Sequence, residues 1–138
     1  MNQNLRCRAP QYLSFDNINF NISLFYNNVI SDMNIETLRE YCISRSNATE
    51  SFPFGEDTLV FKVNGKIFAL VNLDGELSIN LKCDPAIAIE LRERYSSVTS
   101  GYHMNKQHWN TILIDGSIPD SEIHEWIDHS YKLVGGKK

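Results

Sequence analysis

From residue 33 onward, apolar positions recur with periods that predict the elements one after another. Ile35, Leu38 and Cys42 stand at i, i+3 and i+7 behind Asn34, a good N-cap, with Glu36 in the first turn where a carboxylate suits the helix dipole. This spacing predicts a helix that stops near Ser46-Asn47, whose side chains favour local backbone bonds over helix. Phe52-Pro53-Phe54-Gly55 follows as a loop whose two aromatics are expected to be buried. Three strands come next, over residues 59–63, 66–73 and 77–82. Asn64-Gly65 and Asp74-Gly75 part them, and such pairs are the strongest short hairpin signals. Leu77, Ile79 and Leu81 alternate with Ser78, Asn80 and Lys82, so the meander should bury one face only.

Asp84-Pro85 opens a second helix with an N-cap and a proline at N1, and Ile87, Leu91 and Tyr95 supply its apolar stripe. A short strand near 98–102 leads through His103-Met104-Asn105-Lys106 to a fifth strand over 109–114, closed by Asp115-Gly116. Pro119-Asp120 starts the last helix. Ile123, Trp126, Ile127, Ser130 and Val134 mark its buried side, and Gly135-Gly136 ends it. The order α-βββ-α-ββ-α predicts an α+β fold, with a five-stranded antiparallel sheet and helices packed on one face.

Residues 1–32 have a different character. They hold seven Asn, no Lys, no Gly and four charges that cancel. The expectation is an N-terminal extension, possible start-site artefact included, outside a core domain over 33–138. The competing reading is an extra edge strand, because Ile18, Phe20, Ile22 and Leu24 alternate with Asn19, Asn21 and Ser23.

Composition narrows the function classes. The 138 residues suit one domain, and 42% hydrophobic with 22% charged residues is ordinary for a globular chain. A formal net charge of -4 excludes a strongly basic nucleic-acid coat. No apolar run approaches the length of a membrane span. Cys7, Cys42 and Cys83 are odd in number and widely spaced, which argues for reduced thiols and against a disulfide framework or structural zinc. With no signal-peptide pattern after Arg6 and Arg8, the sequons at Asn21 and Asn47 carry no meaning and the cytoplasm is the expected compartment.

Several segments resemble the MmcQ/YjbR family. They are Asn34-Ile35-Glu36-Thr37-Leu38-Arg39, Phe52-Pro53-Phe54-Gly55 and Leu81-Lys82-Cys83-Asp84-Pro85. The run from Gly101 through His103-Met104-Asn105-Lys106-Gln107-His108-Trp109 to Thr111 and the closing Ile127-Asp128-His129-Ser130-Tyr131 resemble it too. The likeness extends from Met33 to about Val134, with Ser46-Asn47 in place of the family's Pro-Gly turn. It implies the same α-βββ-α-ββ-α order, similar to type III secretion chaperones. The family is described as DNA-binding, and one member sits among mitomycin resistance genes. No catalytic activity and no established site residues come with the likeness.

Charge is uneven along the chain. Residues 36–57 carry a net -3, residues 115–132 a net -4, and residues 58–112 a net +1. An acidic helical layer and a mildly basic open sheet face follow, with Lys82 beside Ser78 and Asn80, and with Lys62 joining them if Phe61 and Val63 point inward. Such a strip would bind DNA weakly, with steep salt dependence and little sequence discrimination. The plainer reading is that these lysines keep an exposed face soluble. The densest functional-looking segment holds His103, Asn105, Lys106, His108 and Trp109, where the indole could stack on a base and Lys106 meet a phosphate. Its plainer reading is a tied-down loop with a core tryptophan. The candidate binding residues are therefore Lys62, Lys82, His103, Asn105, Lys106, His108 and Trp109.

No metal is expected. His103 and His108 are five apart, as are His124 and His129, and on a helix that spacing puts two side chains on different faces. No cofactor loop and no nucleophile motif occurs, and Glu56-Asp57 reads as turn chemistry, so neither cofactor nor enzyme activity is expected. The second function class is a protein-interaction or small-ligand module, with Phe52, Phe54, Tyr102 and Trp109 around a pocket.

Overall fold

A computed structural model describes residues 33–101 and 104–136. The expectations for residues 1–32, for Tyr102 and for His103 lie outside the described residues.

Helix α1 (Ile35–Ile43) is capped by Asn34, whose side chain accepts the Thr37 N–H at 3.0 Å while the Thr37 hydroxyl accepts the Asn34 N–H at 2.9 Å. Strands β1 (Thr49–Ser51), β2 (Thr58–Val63), β3 (Lys66–Asn72) and β4 (Ser78–Lys82) follow. Then come α2 (Pro85–Arg94), β5 (Val98–Ser100), β6 (Trp109–Leu113) and α3 (Asp120–Leu133). The sheet is antiparallel throughout, in the order β1-β2-β3-β4-β6-β5. The predicted meander is β2-β3-β4. The α+β class and the one-sided helical layer hold.

Four expectations need correction. The sheet has six strands, not five, because Thr49–Ser51 pairs with β2 in the register Thr49↔Lys62. Three polar or charged residues at an edge carry no apolar alternation, so this strand was invisible to periodicity. Helix α1 ends at Ile43, before Ser46-Asn47, and Asn47 takes the left-handed φ of 62° that turns the chain toward β1. Ile87 does not belong to the buried stripe of α2. It is 40% exposed, and Ala88 and Leu91 face the core instead. The small Ala88 lets the helix approach β6, where the Asn110 side chain donates to the Ala88 carbonyl at 3.3 Å. Finally, Phe52 and Phe54 are exposed, at 51% and 66%, rather than buried.

The main core lies between the helices and one sheet face. Leu38 and Cys42 of α1, Ile123, Ile127 and Tyr131 of α3, and Leu59, Phe61, Phe68, Val71, Ile79, Leu81 and Ile112 of the strands form it. Two polar side chains, Asn110 and Ser130, are fully buried on this side of the sheet, and Ser130 is held by the strands themselves. A bulge explains it. Phe61 pairs with Ala69 but Lys62 pairs with Ile67, so Phe68 is the extra residue of β3. The β3-β4 ladder stops at Ala69↔Leu81. By antiparallel alternation, Phe68 and Lys82 would be the next hydrogen-bonded pair. The Ser130 hydroxyl takes up both groups instead, donating to the Phe68 carbonyl at 2.6 Å and accepting the Lys82 N–H at 2.9 Å.

Candidate functional site

The face of the sheet turned away from the helices is read directly from the register. At one end of it Thr49, Lys62 and Ile67 lie side by side on β1 to β3, and Lys82 and Trp109 lie side by side on β4 and β6, with the end of the β3-β4 ladder between the two groups. The middle row holds Ser51, Val60, Leu70, Asn80, Thr111 and Thr99. A third row holds Thr58, Asn72, Ser78 and Leu113. This face is less polar than alternation suggested. Val60 and Leu70 are buried on it together with Trp109, with Ile67 and Met104 packed beside them.

The lysine strip is real but short. Lys62 and Lys82 lie two strands apart, about 10 Å at the usual strand spacing. Lys106 belongs to the loop that leads into Trp109, and its Nζ donates to the Gly101 carbonyl at 3.4 Å. Asn105 organises that loop. Its side chain accepts the Gln107 N–H at 2.9 Å, and its carbonyl accepts the N–H groups of His108 and Trp109. The His108 carbonyl takes the Cys83 N–H at 2.7 Å, which ties the loop to the end of β4. Trp109 is only 9% exposed, so its ring packs with Val60 and Leu70 and does not stand free to stack on a base. Gly101 allows this seat, since a Cβ there would come within 2.7 Å of the Trp109 Cβ. The structure therefore brings Lys62, Lys82 and Trp109 to one end of the open face and sets Asn105, Lys106 and His108 in the loop that leads into it.

The pocket expected around Phe52, Phe54, Tyr102 and Trp109 takes another form: a groove of about 600 Å³ lies toward the other end of the same face, with Phe54 on its border and Phe52 and Trp109 outside its lining. Leu70, Asn80, Thr111, Thr58, Asn72 and Ser78 line it from the strands, and the exposed ring of Phe54, Met104 and Asp74 border it. Asn72 pins the β3-β4 turn, donating to the Asp74 carbonyl at 2.9 Å, and so fixes where Asp74 sits. The Leu73 N–H donates to the Asp57 carbonyl at 2.8 Å, which holds this turn against the loop that carries Phe54. The Thr111 hydroxyl donates to the Asn80 side-chain carbonyl, leaving the Asn80 amide N–H groups toward the groove. The signal for this site lay in the aromatics of Phe52-Pro53-Phe54-Gly55 and in the polar alternation of β4, taken together.

Reactive groups outside this face are engaged in structure. Burial pushes the Cys42 thiol up to about 12 and the Cys83 thiol up to about 11. Tyr41 is raised to about 12, first by burial and then by its hydrogen bond to Asp128. The His124 ring stacks on Tyr41 with centroids 3.9 Å apart, and His129 Nε2 accepts the Asp84 N–H at 3.3 Å. Among the described residues no group of three His, Cys, Asp or Glu side chains is placed to hold a metal, and no helix is long and apolar enough to cross a membrane.

A family model described as YjbR matches residues 44–133. The chain belongs to the YjbR family. The uncharacterised protein YjbR of Escherichia coli is 36% identical over 101 residues, which is 72% of this chain and 86% of that protein. The uncharacterised protein YbdF of Escherichia coli O157:H7 is 36% identical over 100 residues, covering 72% and 82%. A crystal structure of a Deinococcus radiodurans protein with the family-model domain DUF419 superposes with a TM-score of 0.69 at 38% identity. The match covers 72% of this chain and 77% of that one. A Pseudomonas syringae crystal structure gives 0.66 at 29% identity, covering 73% and 98%. The YjbR match over residues 44–133 runs from β1 to α3 and so includes the strands of the open face and the residues that line its groove.

Proposed function

We propose that this YjbR-family domain is a non-catalytic binding module whose working surface is the open face of the sheet. The observation that carries the reading is the groove bordered by Phe54. Its volume of about 600 Å³ lies within the usual range of small-ligand sites, and its lining mixes an apolar floor at Leu70 with a few polar side chains. An exposed phenylalanine over such a groove has no role in the core and a ready one in covering a ligand. Burial raises the thiols of Cys42 and Cys83 to about 12 and about 11, which makes these two side chains poor nucleophiles. The test is a small-molecule fragment screen on labelled protein by heteronuclear NMR. Saturable amide shifts are expected at Phe54, Asn80, Met104 and Thr111. A screen whose hits all map to the helical layer would overturn the reading.

Weak DNA contact is the second reading, favoured by the lysine strip. Lys62, Lys82 and Lys106 lie at one end of the open face, where a phosphate backbone could meet them. Three phosphates neutralised would cost about twentyfold in affinity between 50 and 150 mM salt. The expected partner is any duplex, without sequence preference. The buried Trp109 offers no stacking platform, so this reading rests on charge alone. A cytoplasmic setting suits both readings.

A further inference from the structure

We infer that the groove takes a small organic cation with an apolar body. This rests on the reading of the open face as a binding surface and adds the charge of its ligand.

The argument starts from the ends of the strands. β2 begins, β3 ends, β4 begins and β6 ends at the same edge of the sheet, because neighbours run antiparallel. The segments at that edge carry Glu56, Asp57, Asp74, Glu76 and Asp115, all exposed. The loop 52–57, the turn 73–77 and the turn 114–118 contain no lysine or arginine. The opposite edge carries Lys62, Lys66, Lys82 and Lys106, with Asp84 as the acid among them. The open face is thus charged in opposite senses along the strand direction, and the groove lies at the negative end.

Within the groove, the chemistry narrows further. Among the described residues Asp74 is its one ionic lining group, and its carboxylate makes no hydrogen bond or ion pair with any of them. The hydroxyls of Thr58 and Ser78 can accept from an ammonium group, and neither has a side-chain partner among the described residues. The face of an exposed phenylalanine attracts cations through its ring quadrupole, and Phe54 borders the same space. Leu70 and Met104 offer an apolar seat for the remainder of such a ligand. An anion there would meet Asp74 and the four further carboxylates at the rim, with no lysine or arginine of the loop 52–57 or the turns 73–77 and 114–118 to pair with.

A matched series separates this inference from the reading beneath it. The probes are phenethylamine, 2-phenylethanol and 3-phenylpropionate, titrated into the full chain and followed by heteronuclear NMR. The amine should bind tightest, with saturable shifts at Phe54, Asn80 and Thr111, then the alcohol, then the acid. D74N should weaken the amine by about three- to fivefold and leave the alcohol unchanged, the size expected of one partly exposed charge pair. F54A should weaken amine and alcohol together. If the alcohol or the acid binds as tightly as the amine, or D74N leaves the amine unchanged, the cation inference is overturned while the groove stands. If none of the three binds, both fail. The spectrum of each variant, unchanged away from residues 52–58 and 72–80, shows that it is folded.

Discussion

Ser130→Ala removes a single oxygen and should cost more than most surface changes combined. The Ser130 hydroxyl serves two backbone groups at once, the Phe68 carbonyl at 2.6 Å and the Lys82 N–H at 2.9 Å. Both belong to the place where the β-bulge at Phe68 ends the β3-β4 ladder, and Ser130 is fully buried. A buried backbone group left unpaired costs about 1–3 kcal/mol. Two such groups, with some relaxation of β4 toward β3, give about 2–4 kcal/mol. That is a large share of the roughly 5–15 kcal/mol that holds a domain of this kind together. Urea unfolding followed by tryptophan fluorescence reads the loss as a lower midpoint with an unchanged slope. Ser96→Ala, at an exposed position, is the control and should stay within about 0.5 kcal/mol of the parent. Hydrogen exchange adds a local signature, since the Lys82 amide should lose more protection than Ile79 in mid-strand. A Ser130→Ala midpoint equal to that of Ser96→Ala would refute the reasoning. Phe68 and Lys82 would then close their own bond, and the buried serine would have no structural purpose.

Other expected outcomes follow from the same geometry. F54A should weaken fragment binding in the groove yet change stability by less than about 0.5 kcal/mol, because the ring is mostly exposed; a large drop in the urea midpoint would mean that the ring is packed after all. K62E combined with K82E and K106E should remove any low-salt DNA binding seen by fluorescence anisotropy, and equal binding by parent and triple variant would reject the charge argument. G101A should lower the thermal midpoint and shift the Trp109 indole resonance, because the new Cβ meets the Trp109 Cβ at 2.7 Å with both atoms fixed to backbone; an unmoved indole signal would contradict that seat. Hydrogen bonds from Ser117 and Ser97 hold the Asp115 carboxyl below its ordinary 3.8, so its contribution to stability is complete above that value and is lost as pH falls through the folded pKa. D115N should therefore flatten the acid limb of a stability–pH curve, and two parallel limbs would count against the assignment.

How much of this was legible beforehand depends on the range of the interaction involved. Turn chemistry and caps are local, so Asn34, Asn64-Gly65 and Asp84-Pro85 announced their elements and the structure places each where expected, whereas Asp74-Gly75 marks a five-residue connection rather than a two-residue turn, because Asn72 pairs with Ser78. Cys42 on its apolar stripe was legible for the same reason. Strand β1 was not, because three residues at an edge take their conformation from β2 rather than from their own side chains. Ile87 misled because periodicity finds a stripe but not its phase, and the approach of α2 to Asn110 selects Ala88 and Leu91. Phe52 and Phe54 misled because hydrophobicity predicts burial only where the fold supplies a place for it. Ser130 stood on the predicted buried side of α3, but the bulge that explains it depends on pairing between distant strands.

The open face illustrates what the one-sided expectation left out. A basic strip was anticipated across the whole face, whereas antiparallel pairing sends the acidic turns to one edge and the lysines to the other. From Ser78 at the groove to Lys82 in the lysine strip, β4 spans about 13 Å. That exceeds the roughly 8 Å over which charges act at physiological salt. The two ends therefore behave as independent electrostatic neighbourhoods, and the two binding readings do not compete for the same residues. K62E with K82E should leave phenethylamine affinity at 150 mM salt within a factor of about two, and D74N should leave DNA affinity equally untouched. At 10 mM salt the screening length grows to about 30 Å, and each variant should then alter binding at the far end. The acidic substitutions should strengthen the amine, and the loss of Asp74 should strengthen DNA. Cross-effects of equal size at both salt concentrations would mean that one site, not two, occupies this face.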